Sequence, residues 1–547
     1  MSKLSRRSFL TGAATVGAAT AAAAVMPARS ARAATASVPV TTSTQRVVVI
    51  GSGFGGGVTA LRLAQAGVKV LVLERGRWWP TGPDAQTFPH AAIPDSRDIF
   101  YTAYSDDYAL VGMLPFAGLL EPVAGDNITA VVAAGVGGGS LVYQGMSLQP
   151  TEEVFSAWFP PGYDYSQLDS VYYPRVASML QVDTAPAALV NSPNYAPSRD
   201  FAAGVQAAGY QLSEIPMPID WQYALDELHD MMLPSYTNGD CALGVNNGGK
   251  HSVDVTYLAQ ALATGNDTIQ TLSNVTSVAR ASNGQWQVYV NVTDASGNVL
   301  SRQVITTTAL FVTAGTVNTS KLLVAAAATG AIPDLPDTVG QGYGTNGDQI
   351  YVWSNSELGT PQGGPVVYGS FDWADPASAN TVIQAALPPI GIDLQPIEAL
   401  APGLSALGEP LLVNLQSTML VGYGVSPSRG QFVYNSSTDT VDLQWPADGD
   451  AAIAAAIAAR ITAIAGAGST LTNTNATANS TWHSLGGACV NSVCDLEGRV
   501  LGQKGLYVLD GSLMPGTTGA CNPSMTIAAI AERALDQIVH SDVGTIF

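Results

Sequence analysis

Residues 46–76 read RVVVIGSGFGGGVTALRLAQAGVKVLVLERG, and few arrangements satisfy this stretch. Four consecutive β-branched residues, Val47, Val48, Val49 and Ile50, make a short strand buried on both faces. Glycines then fall as GxGxxG at Gly51, Gly53 and Gly56. The first permits a tight turn. The second lets the backbone approach a pyrophosphate, and the third lets a helix sit close on the strand. That helix turns Val58, Leu61, Leu63 and Ala64 toward its buried side. A second strand, VKVLVLE, ends at Glu74, where a carboxylate can accept hydrogen bonds from an adenosine ribose. Strand, glycine turn, helix, strand and terminal acid together predict a dinucleotide site. The motif alone does not separate NAD from FAD.

The N-terminus reads as a targeting segment rather than as part of the fold. Ser5-Arg6-Arg7-Ser8-Phe9-Leu10 is a twin-arginine signature, an alanine-rich apolar run follows, and Ala31-Arg32-Ala33 fits a small-residue cleavage site. Residues 1–33 are therefore expected to be a signal peptide and the protein to be secreted. Removing them leaves 17 basic and 42 acidic residues. Such a surface repels nucleic acid and anionic lipid. The alanine-rich stretch 451–467 is interrupted by Arg460 and does not read as a membrane span. Four cysteines, Cys241, Cys489, Cys494 and Cys521, are too few for a disulfide framework. Cys489 and Cys494 are spaced either to close a small loop or to remain free thiols. No group of residues has metal-ligand spacing.

Glycine-rich, strand-flanked segments recur near 46–76, 131–147, 307–325 and 505–540. Between them, 151–250 is rich in Tyr, Trp and Pro, and 348–450 alternates short β-like runs with Pro/Gly loops. The expected fold is α/β. A Rossmann-type dinucleotide-binding domain is assembled from 46–150, 251–347 and 470–547. A substrate-binding domain of β-sheet and helices comes from 151–250 and 348–469. The tract Thr472–Ser480 (TNTNATANS) reads as an exposed loop.

Three further segments carry chemistry. In Ala134-Gly135-Val136-Gly137-Gly138-Gly139-Ser140-Leu141-Val142-Tyr143, a glycine run can turn backbone N–H groups toward an anion or a flat ring. Leu506–Asp510 is a strand ending in an acid, and Asn522-Pro523 is a good helix start, with Asn at the N-cap. His483, one of only five histidines, abuts Gly-Gly in WHSLGG, which marks it out from the other four.

Together these segments resemble the glucose–methanol–choline (GMC) flavoprotein oxidoreductases, and within them the secreted bacterial cholesterol oxidases that bind FAD non-covalently. WHSLGG is similar to the family's YHPLGG, and GACNPSMTI to its GVNPFVTI. The resemblance implies that Gly51, Gly53, Phe54 and Gly56 hold the FAD pyrophosphate and Glu74 the ribose. It places Gly135, Gly139 and Ser140 along the flavin and pyrophosphate, Val275 at the adenine, and Asp510, Gly511, Asn522 and Met525 beside the flavin. His483 and Asn522 would position the substrate hydroxyl. ALPPIGID, ending at Asp393, matches the segment whose glutamate shifts a steroid double bond, here one methylene shorter. The chain departs from the family at Tyr143 (Asn), Trp482 (Tyr) and Ser524 (Phe).

The implied reaction is oxidation of a 3β-hydroxysterol with O2 as acceptor, with isomerisation by Asp393. The partners are a small sterol and O2, with transient contact with sterol-bearing membranes and no obligate protein partner. The alternatives are a GMC oxidase or dehydrogenase for another bulky alcohol without isomerisation, a flavin-containing lyase, and a non-catalytic FAD module.

Overall fold

The computed structural model describes residues 38–90, 95–109, 112–354, 366–386, 417–476 and 479–547. Asp393 and the proposed signal peptide fall outside these residues.

A seven-stranded sheet runs in the order Asp267–Gln270, Val70–Leu73, Val40–Ile50, Val299–Val312, Trp286–Thr293, Ser273–Arg280, with Leu506–Val508 also paired to Val299–Val312. The strands beginning at 40, 70, 267, 299 and 506 are mutually parallel, and the strand at 286 runs antiparallel to both of its neighbours, at 299 and at 273. The β-branched run Val47–Ile50 lies in the middle and is at most 4% exposed, as a strand covered on both faces must be. Strands from distant parts of the chain thus share one sheet, and Gly51, Glu74, Thr313 and Asp510 all follow closely on carboxyl ends of parallel strands. Open α/β sheets bind ligands at such ends.

Helix Phe54–Gln65 packs beneath this edge with Val58, Leu61, Leu63 and Ala64 all buried. At Gly51, φ is +92°, and a Cβ would lie 2.4 Å from the Thr313 carbonyl oxygen. At Gly56 a Cβ would lie 2.1 Å from the Gly51 oxygen. Both positions therefore require glycine, for the turn and for the helix-on-strand approach respectively.

A second sheet of six strands, all antiparallel, runs Thr470–Asn473, Gln349–Ser354, Ser417–Gly424, Asn380–Ala385, Tyr368–Asp372, Ser213–Glu214. Its side chains alternate between two cores, as the two-residue period demands. Tyr351, Trp353, Val382 and Leu420 pack under helix Ala451–Ala465. Ile350, Val352, Ile383, Met419 and Val421 face the opposite way. Arg460 interrupts that helix's apolar run and is buried. Its guanidinium donates to Asn380 Oδ1 at 2.6 Å and Ser370 Oγ at 2.7 Å.

Hairpin Gly430–Asn435/Thr440–Gln444 pairs with Gln341–Tyr343 in a separate small sheet. It packs on Val123, Ala130, Val317 and Val324, so this part of 348–469 sits against segments expected in the dinucleotide part.

Two sequence expectations are corrected, and one alternative left open is settled. The tract at 472–480 is not simply an exposed loop: Thr472 and Asn473 end an edge strand, and Thr474 and Ser480 are buried. Side-chain hydrogen bonds hold it there, with Thr474 Oγ1 donating to the Ile350 carbonyl and Asn475 Oδ1 accepting from Ile350 N. Asn522 is not an N-cap. The C-terminal helix spans Ser524–Ser541 with Pro523 at the cap and no side-chain capping bond, because the Asn522 amide is engaged elsewhere. All four cysteines are free thiols, Cys489 and Cys494 included.

Candidate active site

One continuous cavity runs from the glycine fingerprint to His483. Gly51, Gly53, Phe54, Glu74, Gly139, Val275, Asp510, Gly511, His483 and Asn522 all line it. Gly56, Gly135, Ser140 and Met525 do not reach its wall. Gly56 is packed on the Gly51 backbone. Gly135 N donates to Glu74 Oε1. The Ser140 hydroxyl donates to the Gly137 carbonyl and accepts from Val253 N. Met525 is buried in the main core. These four support the wall from behind.

The fingerprint end is built for an anion. Helix Phe54–Gln65 begins on the cavity with no side-chain cap and no acid in its first turn, so its first N–H groups and positive dipole end are left for a ligand. A Cβ on Gly139 or Gly315 would meet nothing within 4 Å, and the wall there is open backbone. The Glu74 carboxylate is buried. Its Oε2 accepts from Ser52 N at 3.2 Å and Ser52 Oγ at 2.6 Å, and its Oε1 from Gly76 N at 2.8 Å and Gly135 N at 3.2 Å. Four donors fill roughly the full acceptor capacity of a carboxylate. Glu74 therefore ties the two glycine loops together, a task the sequence does not reveal.

Val275 lies where the pairing of Ser273–Arg280 with Trp286–Thr293 slips, between Val275 and Ser277. Such an irregularity frees backbone groups from the ladder. Asp510 accepts from Gly315 N, Ser512 N, Ser512 Oγ and Thr319 Oγ1. Burial pushes its carboxyl above the usual range.

The other end is apolar, with Met146, Ile350, Ile383, Met419, Val421 and Trp482 in the wall. His483 stands in this wall, 6% exposed. Its Nδ1 lies 2.7 Å from Oδ1 of Asp348, whose side chain is fully buried. Oδ2 of Asp348 accepts from Thr481 Oγ1 at 2.7 Å and Trp482 N at 3.2 Å. A carboxylate with only donors around it keeps a proton on Nδ1 and leaves Nε2 as the basic nitrogen. Tyr423 stacks edge-on against the imidazole at 5.3 Å and limits its rotation. Asp450 is close enough for the Asp348 charge to add to the burial that raises its carboxyl.

Asn522 approaches from the C-terminal segment. Its Nδ2 donates to the Met146 carbonyl and to Ser524 Oγ, each at 2.7 Å. Lys250 is wholly buried behind the same loop. Its ammonium donates to the carbonyls of Leu141, Tyr143 and Cys241, and burial pushes it down to about 8. Neither Asp348 nor Lys250 stood out in the sequence. Asp348 follows the GYGTNG segment, but nothing local ties it to a histidine 135 residues away.

Comparison with known proteins decides the family. The GMC oxidoreductase N-terminal model matches residues 17–342, and its C-terminal counterpart matches 436–531.

The chain belongs to the GMC oxidoreductases.

A cholesterol oxidase of Mycobacterium tuberculosis is 27% identical over 89% of this chain and 90% of its own length. A cholesterol oxidase of Acinetobacter baumannii is 24% identical over 90% and 94%. The solved structure of a pyridoxine 4-oxidase from Mesorbium loti shares the fold, with a TM-score of 0.62 at 16% identity, covering 91% of this chain and 99% of that one. The protein is thus an FAD-dependent GMC alcohol oxidoreductase with a mixed α/β fold. The anion-ready helix start, the open glycine backbone and the adjoining apolar chamber fit that cofactor. No helix among the described residues is long and apolar enough to cross a membrane.

Proposed function

We propose that this GMC oxidoreductase is a cholesterol oxidase, converting a 3β-hydroxysterol to the 3-ketosteroid with O2 as acceptor and H2O2 as co-product. The observation that carries the reading is the buried His483–Asp348 pair set in an apolar wall on the same cavity as the dinucleotide fingerprint. A sterol offers hydrocarbon and one hydroxyl. Burying the hydrocarbon supplies affinity at about 25 cal/mol per Å², and the hydroxyl supplies orientation. The full-length relatives named cholesterol oxidase support the same substrate.

The chain's own residues divide the work. The first turn of helix Phe54–Gln65 and Gly139 hold the pyrophosphate, Val275 backbone meets the adenine, and Glu74 organises the loops around the ribose. His483 Nε2 accepts the hydroxyl proton, with Asp348 holding the ring and stabilising the imidazolium that forms. Asn522 and the helix start at Ser524 fix the oxygen. The apolar wall excludes water. FAD, when bound, supplies the hydride acceptor and the route of electrons to O2. Asp393 moves the proton that converts the Δ5 to the Δ4 ketone. With this function go export by the twin-arginine signature and transient contact with sterol-bearing membranes.

A second reading is a GMC oxidase or dehydrogenase for a different bulky alcohol, without isomerisation. It is favoured by two buried cavity-wall atoms that have no hydrogen-bond partner among the described residues, Tyr143 Oη and Gln144 Oε1, which suit a ligand with more than one polar group. Product analysis after incubation with cholesterol in air separates the two: cholest-4-en-3-one with H2O2 supports the first, and unchanged cholesterol leaves the second.

A further inference from the structure

We propose that Ser524 is a third polar member of the alcohol site: it takes up the second amide hydrogen of Asn522 and gives its own hydroxyl hydrogen to an oxygen in the cavity. The proposal rests on the sterol-oxidising reading of this cavity.

The neighbours fix the orientation of the Asn522 amide. The Met146 carbonyl, at 2.7 Å, can be met only by N–H, and the Leu148 N–H, at 3.4 Å, only by Oδ1. One Nδ2 hydrogen therefore goes to Met146 and the other to Ser524 Oγ, also at 2.7 Å. Both amide hydrogens are used inside the protein. Toward the cavity Asn522 has only a lone pair on Oδ1. It can accept a hydrogen bond from an alcohol but cannot donate to the oxygen once the proton has left.

Ser524 can. A hydroxyl has one hydrogen and two lone pairs, and here one lone pair holds the Asn522 amide. Among the described residues, the hydroxyl's acceptor is the Met146 carbonyl at 3.4 Å, a poor bond to an oxygen that already receives the shorter one from Asn522. Its hydrogen can swing to a better partner at little cost. Ser524 is 6% exposed and lines the cavity. It is also the first residue of the helix ending at Ser541, where the dipole favours a negative oxygen. Accepting from Asn522 polarises the hydroxyl and strengthens it as a donor.

In the reaction the carbinol C–H bond breaks with its electron pair leaving as hydride to the cofactor. The O–H proton passes to His483, and the C–O bond becomes C=O. Negative charge gathers on that oxygen as the proton leaves, and a donor aimed there lowers the barrier. The family resemblance has Phe at this position, so the hydroxyl is a feature of this chain.

The test compares wild type, Ser524→Ala and Ser524→Thr, each with FAD content and melting temperature recorded. Cholest-4-en-3-one, an acceptor with no hydroxyl, is titrated into the oxidised enzyme while the flavin absorbance is followed, and flavin reduction by cholesterol is measured anaerobically. Ser524→Ala is expected to weaken ketone binding and slow flavin reduction, each by roughly tenfold, with Thr restoring both. Ketone affinity and reduction rate unchanged in Ser524→Ala overturn the proposal while the sterol reading stands. Losses that Thr does not restore overturn it as well, because the hydroxyl is then not what matters. A wild type that neither binds the ketone nor is reduced by cholesterol overturns the sterol reading itself, and the Ser524 assignment falls with it.

Discussion

Replacing Asp348 with Asn keeps the shape of the side chain and changes what one of its atoms can do. Oδ1 now faces His483 Nδ1, and Oδ2 faces the Thr481 hydroxyl and the Trp482 backbone N–H. An amide must place its NH2 in one of those positions. Facing Trp482, it opposes an N–H that cannot turn away, at a cost of about 1–3 kcal/mol for the lost bond. Facing His483, it donates to Nδ1, and the ring hydrogen moves to Nε2. The second arrangement keeps the backbone bond and so predominates, and the nitrogen meant to take the alcohol proton then carries a hydrogen already. A positioned general base is worth about 10²–10⁴-fold. Flavin reduction in Asp348→Asn should therefore fall by at least about 10²-fold, with FAD still bound. Anaerobic stopped-flow absorbance reads this directly, and the enzyme's colour reports FAD content. A reduction rate within about threefold of wild type, at full FAD occupancy, would refute the assignment of His483 Nε2 as base.

Three other outcomes are expected. Glu74→Gln must oppose an NH2 to two of the four donors, and should raise the FAD dissociation constant at least about tenfold, read by fluorescence on dilution; unchanged affinity would mean that the carboxylate does not organise the loops. Burial pushes Asp98 up to about 8 from 3.8. Its carboxyl stays protonated in the folded state while ionising in the unfolded chain, so the wild type loses stability as pH rises from about 4 to about 8. Asp98→Asn should flatten that slope in melting temperatures taken across this window, and parallel slopes in both proteins would contradict the shift. Asp393→Asn should oxidise cholesterol but release the unconjugated 5-en-3-one, and conjugated product at the wild-type rate would make Asp393 a bystander.

The parts of the fold legible in the sequence were those written locally. Four β-branched residues, a glycine turn and an amphipathic helix specify one another over 31 residues, and the structure builds them as read. What escaped the sequence depends on side chains meeting across the chain. Asp348 reaches His483 because a strand begins at Gln349 while another ends at Thr481, and no local pattern announces that meeting. Asn522 has the residue type and Pro neighbour of an N-cap, yet Met146, 376 residues away, claims its amide. Thr and Asn in the 472–480 tract looked like loop composition. β-branched Thr also suits an edge strand, and the side-chain bonds to Ile350 decide the matter. Gly135, Ser140 and Met525 carried the right motif positions but stand one layer behind the wall, since a motif gives spacing along the chain and not depth.

The most direct test of the account is an anaerobic titration of the purified holoenzyme with cholesterol, followed by the flavin absorbance and by product analysis. The account predicts that the yellow absorbance bleaches with about one equivalent of ketosteroid formed per flavin, and returns on admission of air with H2O2 produced. Flavin that stays oxidised with cholesterol, and is instead reduced by another bulky alcohol, would contradict the sterol assignment.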